Sequence, residues 1–181
     1  MQRTVITPAD FSGDALDDLK AWLGISRPQE DALLTDLLQA SAGLCEAFIG
    51  QSPIEQTIEE TAPPSAAIYH LTTRPVRMLD SAETIASDGA RAPLLQTDFE
   101  FAIDATSTAS FRLRQAVEAR AVAIQVRAGI APDWSSLPKA LKQGMIRLAA
   151  FHYRDRETGL DSTPPASVTA LWRPWRTVRL T

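Results

Sequence analysis

The side chains best suited to catalysis are histidines and carboxylates, and their spacing does not favour an enzyme. His152 lies on a predicted helix three residues before Asp155, so a general base oriented by a carboxylate is one interpretation. A histidine at the edge of the hydrophobic core explains the same spacing without any activity, and we favour that interpretation. The adjacent acids Asp17-Asp18 and Glu59-Glu60 point in different directions and cannot converge on one substrate by themselves.

Other kinds of catalytic or ligand-binding site find no support either. The single cysteine, Cys45, lies near Leu44 and Phe48, which indicates a buried, inert thiol rather than a nucleophile. The sequence has no glycine-rich phosphate loop and no cysteine or histidine cluster with the spacing of metal ligands. We therefore expect no enzymatic activity, no cofactor and no catalytic, cofactor-binding or metal-binding residues.

Charge is distributed unevenly along the 181 residues, which carry a net charge of −4. Residues 1–64 have eleven acids and three bases, whereas residues 164–181 have three arginines and no acid. This asymmetry suggests head-to-tail contact between subunits, although solvated faces would explain it as well. A general nucleic-acid binder would be basic overall. No apolar run approaches the roughly 20 residues that a membrane span needs, so we expect no membrane partner.

Two helices are predicted for the first fifty residues. Three leucines form one stripe over 14–23, and Gly24 follows as a natural stop. Ser26 and Gln29 then resemble a capping box for a second helix that ends at Gly50. The apolar positions of this second helix form a broad face, which places it at the centre of the fold. They are Leu33, Leu34, Leu37, Leu38, Leu44, Cys45 and Phe48.

Residues 53–129 predict a small antiparallel sheet. Apolar residues alternate with polar ones in three runs, as in half-buried strands. These runs contain Phe99, Phe101 and Ile103, then Phe111 and Leu113, then Val122, Ile124 and Val126. Turn-forming residues predict hairpins near 87–89 and 104–109.

The last third predicts one long helix and a tail. Ser136 and Pro138 begin a helix that extends to about residue 157, with Gly159 as its cap. Later prolines make the tail an extended arm or a short helix with a bend. The predicted class is α+β: two N-terminal helices and a long C-terminal helix form a helical core, with an inserted antiparallel sheet and an extended tail. We expect a single domain over 1–163 (helical at 12–50 and 136–158, β at 53–129) and a docking tail over 164–181.

Several short motifs occur in a fixed order along the chain. Val126-Arg-Ala-Gly129 precedes the helix that starts at Leu137-Pro138, and this helix closes in His152-Tyr-Arg-Asp-Arg-Glu157. Leu171-Trp-Arg-Pro-Trp-Arg176 follows, while the first half contributes Glu30-Asp-Ala-Leu-Leu34 and Leu71 with Arg74-Pro-Val76. In order and spacing the chain resembles the head-to-tail connector, or adaptor, family of tailed phages, which also occurs in gene transfer agents.

The resemblance implies a structural role in the neck of a virion or phage-like particle assembled in a bacterial cytoplasm. Such proteins form a ring, commonly of twelve copies, beneath the portal protein of a capsid. The ring extends the DNA channel, so DNA passes through without sequence-specific binding, and presents a surface to a neck or tail stopper protein. The family includes mostly helical members, so the apparent strands here indicate a variant with a β insertion.

The resemblance also suggests roles for two groups of residues. The tail would dock on the portal, because tryptophans are typical interface anchors and arginines pair with acidic groups. The alternative is that the tryptophans pack on their own domain. The candidate docking residues are Leu171, Trp172, Arg173, Trp175, Arg176 and Arg179. A basic helix face of Lys139, Lys142 and Arg147 could line the DNA channel or contact a neighbouring subunit, and an alternative function is a nucleic-acid-binding module that uses this face.

Overall fold

The computed structural model describes residues 2–155 and 164–177 and confirms the α+β class. The chain divides into two compact units, Met1–Pro8 with Glu55–Gly129 and Ala9–Ile54 with Ile130–Thr181. This division differs from the predicted single domain with a separate tail. The reason is that apolar side chains of the tail are part of the core of the second unit.

The first unit is built from strands in two antiparallel sheets. The strands are β1 Arg3–Thr7, β2 Gln56–Ala62, β3 Tyr69–His70, β4 Val76–Ile85, β5 Arg91–Pro93, β6 Phe99–Ile103, β7 Ala109–Leu113 and β8 Ala121–Ala128. One sheet has the order β1-β2-β8-β4-β5 and the other β3-β7-β6. The predicted hairpins form, with Gly89 at φ 88° between β4 and β5 and Ser107 at φ 57° between β6 and β7.

Burial explains which strands could be predicted. Val122, Ile124 and Val126 are buried along the central strand β8, so their alternation is regular. Strand β1 pairs with β2 at the edge of the sheet, and all five of its residues are exposed. An edge strand that buries nothing shows no alternation, so the sequence analysis missed it.

A buried carboxylate ties a loop of the first unit to β2. The Glu60 side chain is 1% exposed and accepts hydrogen bonds from the Tyr69 hydroxyl at 3.0 Å and the Thr73 amide at 2.6 Å. The Thr72 amide and hydroxyl donate to it at 3.0 and 2.9 Å. Burial by itself would raise the pKa of Glu60, but the hydrogen bonds from Thr73 and Thr72 outweigh it and hold that pKa below its ordinary value.

The second unit is helical. Its helices are α1 Asp14–Leu23, α2 Asp31–Ile49, α3 Lys139–Asp155 and α4 Ala166–Trp172, with 3-10 turns at Pro28–Glu30 and Arg173–Trp175. Gly24 and Gly50 end α1 and α2 in the left-handed conformation, at φ 73° and 74°, as predicted. The sequence predicts that α3 extends to about residue 157 and is capped by Gly159. Arg156, Glu157 and Gly159 lie outside the described residues.

Helix α2 has an apolar composition on more than its buried side. Pro28–Ile49 is long and apolar enough, by length and composition alone, to cross a membrane, which corrects the expectation that no such run exists. A core helix of a soluble protein passes the same test, and the most apolar 18-residue window of this span is 33% buried. Its inner face buries Leu34, Leu38 and Cys45. Burial raises the pKa of the Cys45 thiol well above its ordinary value, as expected for an unreactive cysteine.

Candidate docking surface

The C-terminal tail is folded onto the helical unit. Pro165 precedes the first turn of α4, where its fixed φ suits a helix start. Val168 and Trp172, four residues apart on one face of α4, are both buried in the core that α1, α2 and α3 form. Of the two alternatives for the tail, a short helix with a bend is the one observed.

Trp172 lies directly against the backbone of α3. A Cβ atom at Gly144 would overlap the indole of Trp172, with Cε2 at 2.7 Å and Cδ1 at 2.8 Å. The ring of Phe48 on α2 lies 6.1 Å from the same indole. The indole is fully buried, and its Nε1 has no hydrogen-bond partner among the described residues. Glycine at position 144 therefore permits a close approach of α4 to α3.

The residues after α4 cover the C-terminal end of α2. The amide and hydroxyl of Thr177 both donate to the Ile49 carbonyl, at 3.0 and 2.9 Å. The Gln51 side chain donates to the Trp175 carbonyl at 3.0 Å. The guanidinium of Arg176 lies 5.6 Å from the centre of the Phe48 ring. These contacts satisfy a helix-terminal carbonyl that has no partner within its own helix.

Burial sorts the predicted docking residues into two groups. Trp172 is 0% exposed, so in this conformation it is a core residue and not a docking residue, and the self-packing alternative describes it. Leu171 and Trp175 are partly buried against the same core. Arg173 and Arg176 are exposed. Arg179 lies outside the described residues.

The predicted basic residues of α3 lie on its solvent side. Lys139 and Arg147 are exposed, and the guanidinium of Arg147 lies 5.8 Å from the centre of the Trp22 ring. Lys142 is only partly exposed, because its ammonium donates to the Ser135 carbonyl at 3.0 Å and lies 5.7 Å from the Trp134 ring. Lys142 is thus partly committed to its own unit.

Exposed aromatic residues extend this basic surface, and the sequence analysis missed them. Trp22 on α1 is 44% exposed and Phe151 on α3 is 37% exposed. Arg147, Phe151 and Arg154 follow at intervals of four and three residues, a spacing that could have identified them as one helix face. We define the basic aromatic face as Trp22, Lys139, Arg147, Phe151 and Arg154.

Two shallow grooves run along this face, each with a volume of about 410 Å³. Trp22 lines both grooves; Lys139 lines one, and Arg147, Phe151 and Arg154 line the other. Helix α1, which carries Trp22, is held by a hydrogen bond from the Trp134 indole to Asp18 at 2.8 Å. The arrangement places exposed rings beside a lining that is positive on balance, although Asp18 and Asp155 also line the grooves, and this suits a partner with apolar and acidic groups.

The described residues contain no group of three or more histidine, cysteine, aspartate or glutamate side chains that could hold a metal ion. His152 packs its ring against the Phe151 ring, with 5.8 Å between centroids. This ring contact agrees with a histidine at the edge of the hydrophobic core.

Comparison with known proteins identifies neighbours by structure alone. No family model matches the chain, and no curated protein matches it. Solved chains in the neck of an empty gene transfer agent particle, computed with C6 symmetry, match with a TM-score of 0.77 and 23% identity. Chains in the virion of a native particle and in its neck, computed with C12 symmetry, match with TM-scores of 0.76 and 0.74 at 23% identity. Each match covers 100% of this chain and 98% of the other. The protein therefore shares its fold, over its whole length, with chains of gene transfer agent particles.

Proposed function

We propose that this protein is an adaptor subunit in the neck of a phage-like particle, of the tailed-phage and gene transfer agent kind. The full-length likeness to chains of gene transfer agent necks carries this proposal. The match covers 100% of this chain and 98% of the neck chain, so the likeness extends over all the helices and strands described above. The proposed role is structural rather than enzymatic.

In this role, copies of the chain form a closed ring beneath the portal protein and continue its DNA channel toward a tail-side stopper protein. The sixfold and twelvefold symmetries used for the neighbouring neck structures support a ring, with twelve copies as the expected number. DNA passes through without base-specific contacts, in agreement with the net charge of −4 on each subunit.

The proposed portal contact is the tail, without the tail residue that is buried in its own unit. Trp172 anchors the tail to its own unit, and this leaves the exposed Arg173 and Arg176, with the half-buried Trp175 between them, as the docking residues. Arginine pairs well with carboxylates because its guanidinium is planar and stays charged. Arg179 extends the same basic sequence and stays part of the proposal.

The test is to mix the full-length chain with the portal protein of the same particle and to image the mixture by electron microscopy. We expect a ring of added density on the portal, and an unchanged portal would contradict the proposal. Replacing two arginines together (Arg173→Glu with Arg176→Glu) should weaken portal binding at least about tenfold, with only a small fall in melting temperature from the lost contact between Arg176 and Phe48. Arg120→Glu, an exposed change in the first unit, is the control and should bind normally.

A further inference from the structure

The basic aromatic face exposes more apolar ring surface than the role of a solvated helix requires. Trp22 and Phe151 are large side chains left 44% and 37% exposed, and both line the grooves described above. Four bases line the same grooves (Lys139, Lys142, Arg147 and Arg154), against two acids (Asp18 and Asp155), so the lining is positive on balance. Aromatic residues and arginine are enriched at the centres of protein interfaces, so this face is built to be covered by protein.

A complementary face lies on α2 of the same unit. Helix α2 carries three acids and no base. Asp31 pairs with Lys20 at 2.7 Å and Glu46 accepts a hydrogen bond from the Ser52 hydroxyl at 3.2 Å, which leaves Asp36 as the exposed acid. On the outer side of α2, Asp36 is exposed and Leu33 is 39% exposed, while the positions around them are short or uncharged. A helix that is apolar on most sides is normally covered, yet Ala32, Leu33, Ala40 and Ala47 of α2 are exposed.

We infer that the basic aromatic face of one copy docks on the outer face of α2 in the next copy, with Arg147 opposite Asp36 and the rings of Trp22 and Phe151 against Leu33. This inference rests on the proposed function and names the surfaces that would join the ring. The two faces are different surfaces of one subunit, so the contact is head-to-tail, and repetition around an axis closes a ring.

Two partners other than a second copy fit less well: a lipid surface on the α2 face and DNA on the basic aromatic face. A lipid surface over α2 would have to accommodate Asp36 within the apolar face, which is costly. DNA on the basic aromatic face would satisfy the arginines and lysine, but it leaves the apolar faces of two exposed rings without a matching partner unless bases are unstacked. A second copy supplies both an acid for the positive charges and an apolar surface for the exposed rings.

Charge exchange tests the pairing in the full-length chain. Asp36→Arg alone and Arg147→Asp alone each place like charges together, so each should raise the concentration for half-maximal ring formation by about tenfold or more. The two changes in one chain should restore assembly, and so should a mixture of the two single variants, because each then meets its complement. Glu118→Arg, in an exposed loop of the first unit, is the matched control.

Ring formation is measured by mass photometry, alone and with the portal protein, and folding is checked by circular dichroism. Loss in the single variants with recovery in the double variant supports the inference. Rings that survive both single changes, or loss without recovery, overturn the pairing and leave the adaptor function standing. If the unmodified chain forms no ring under any condition, both proposals fail. Intact rings that lose only DNA binding in Arg147→Asp would show that the face contacts DNA, which also overturns the inference.

Discussion

Among single residues, Gly144 and Glu60 each hold together two separate segments of their unit. Gly144 lies where the indole of Trp172 crosses α3, and no side chain fits between them. Glu60 accepts hydrogen bonds from Tyr69 of β3 and from Thr72 and Thr73 of the loop that follows. Both residues are buried, and each supports a contact that is distant in sequence, so both lead to quantitative predictions.

We expect Gly144→Ala to destabilise the helical unit even though alanine favours helices. Helix propensity alone would stabilise by about 1 kcal/mol. Overpacking against Trp172 costs about 1–3 kcal/mol, so the net effect should be a loss. Gly43→Ala in α2 is the control, because a methyl group there meets nothing within 4 Å and should stabilise. Denaturant unfolding measures both, and equal stabilisation by the two changes would show that α4 does not pack on α3.

Glu60→Gln should lower the free energy of unfolding of the first unit by about 2–4 kcal/mol, because an amide replaces a carboxylate that accepts four hydrogen bonds. The folded state holds the pKa of Glu60 below its ordinary value. This stabilisation is therefore present above the unfolded pKa of about 4.3 and is lost as pH falls through the folded pKa.

The effect of Glu60→Gln on stability should also depend on pH. The difference in stability between the unmodified chain and Glu60→Gln should be largest near neutral pH and should shrink in acid. Unfolding in urea at several pH values measures it. Glu118→Gln, which alters an exposed side chain, should differ from the unmodified chain by less than about 0.5 kcal/mol at every pH. A difference for Glu60→Gln that does not change with pH would contradict the assigned ionised state.

At the scale of elements, the tail is both an integral part of the helical unit and the proposed contact to the portal. Val168 and Trp172 fill the core from α4, while Thr177 and Gln51 fasten the chain beyond it. A tail that only docked on a partner could be removed without loss of the fold. The packing of α4 predicts the opposite result.

Ending the chain after Pro165 should therefore destabilise the helical unit by at least about 3–5 kcal/mol, the usual cost of removing a buried tryptophan. Ending it after Thr177 keeps α4 and is the matched control, which should melt close to the full-length chain. Thermal unfolding followed by circular dichroism distinguishes the two. A normal melting temperature for the shorter chain would show that the tail is dispensable for folding.

At the scale of the whole molecule, the separation of charge gives the subunit two kinds of surface. The N-terminal helices are rich in acids, and α3 with the tail is rich in bases. Opposite charges on different surfaces of one chain favour head-to-tail association over a symmetric dimer, because a symmetric contact brings like surfaces together. Electron microscopy of the portal mixture tests whether copies of the chain form a ring. The charge exchange between Asp36 and Arg147 tests which surfaces of two neighbouring copies meet.

Local sequence patterns predict the class of the fold and most of its helices and strands. Helices α1 and α2 and their glycine stops follow from local periodicity and from the left-handed conformation that glycine adopts cheaply. Strands β6, β7 and β8 follow from alternation of apolar and polar residues, although in β6 only Phe99 is buried and Ile103 is 38% exposed. These features depend on neighbours within a few residues. The order of short motifs also led to the resemblance to the connector family. The solved neck structures contain chains with the same fold as this one.

Contacts between distant parts of the chain set the division into two units, the pairing of strand β1 and the place of Trp172. Strand β1 has no periodic signal because its pairing with β2 uses backbone groups and buries no side chain. The two tryptophans of the tail look alike in sequence, but one lies over Gly144, 28 residues earlier in the chain, and the other does not. The basic aromatic face likewise joins Trp22 to α3 across more than a hundred residues. Such choices depend on which distant surfaces meet, and local sequence does not contain that information.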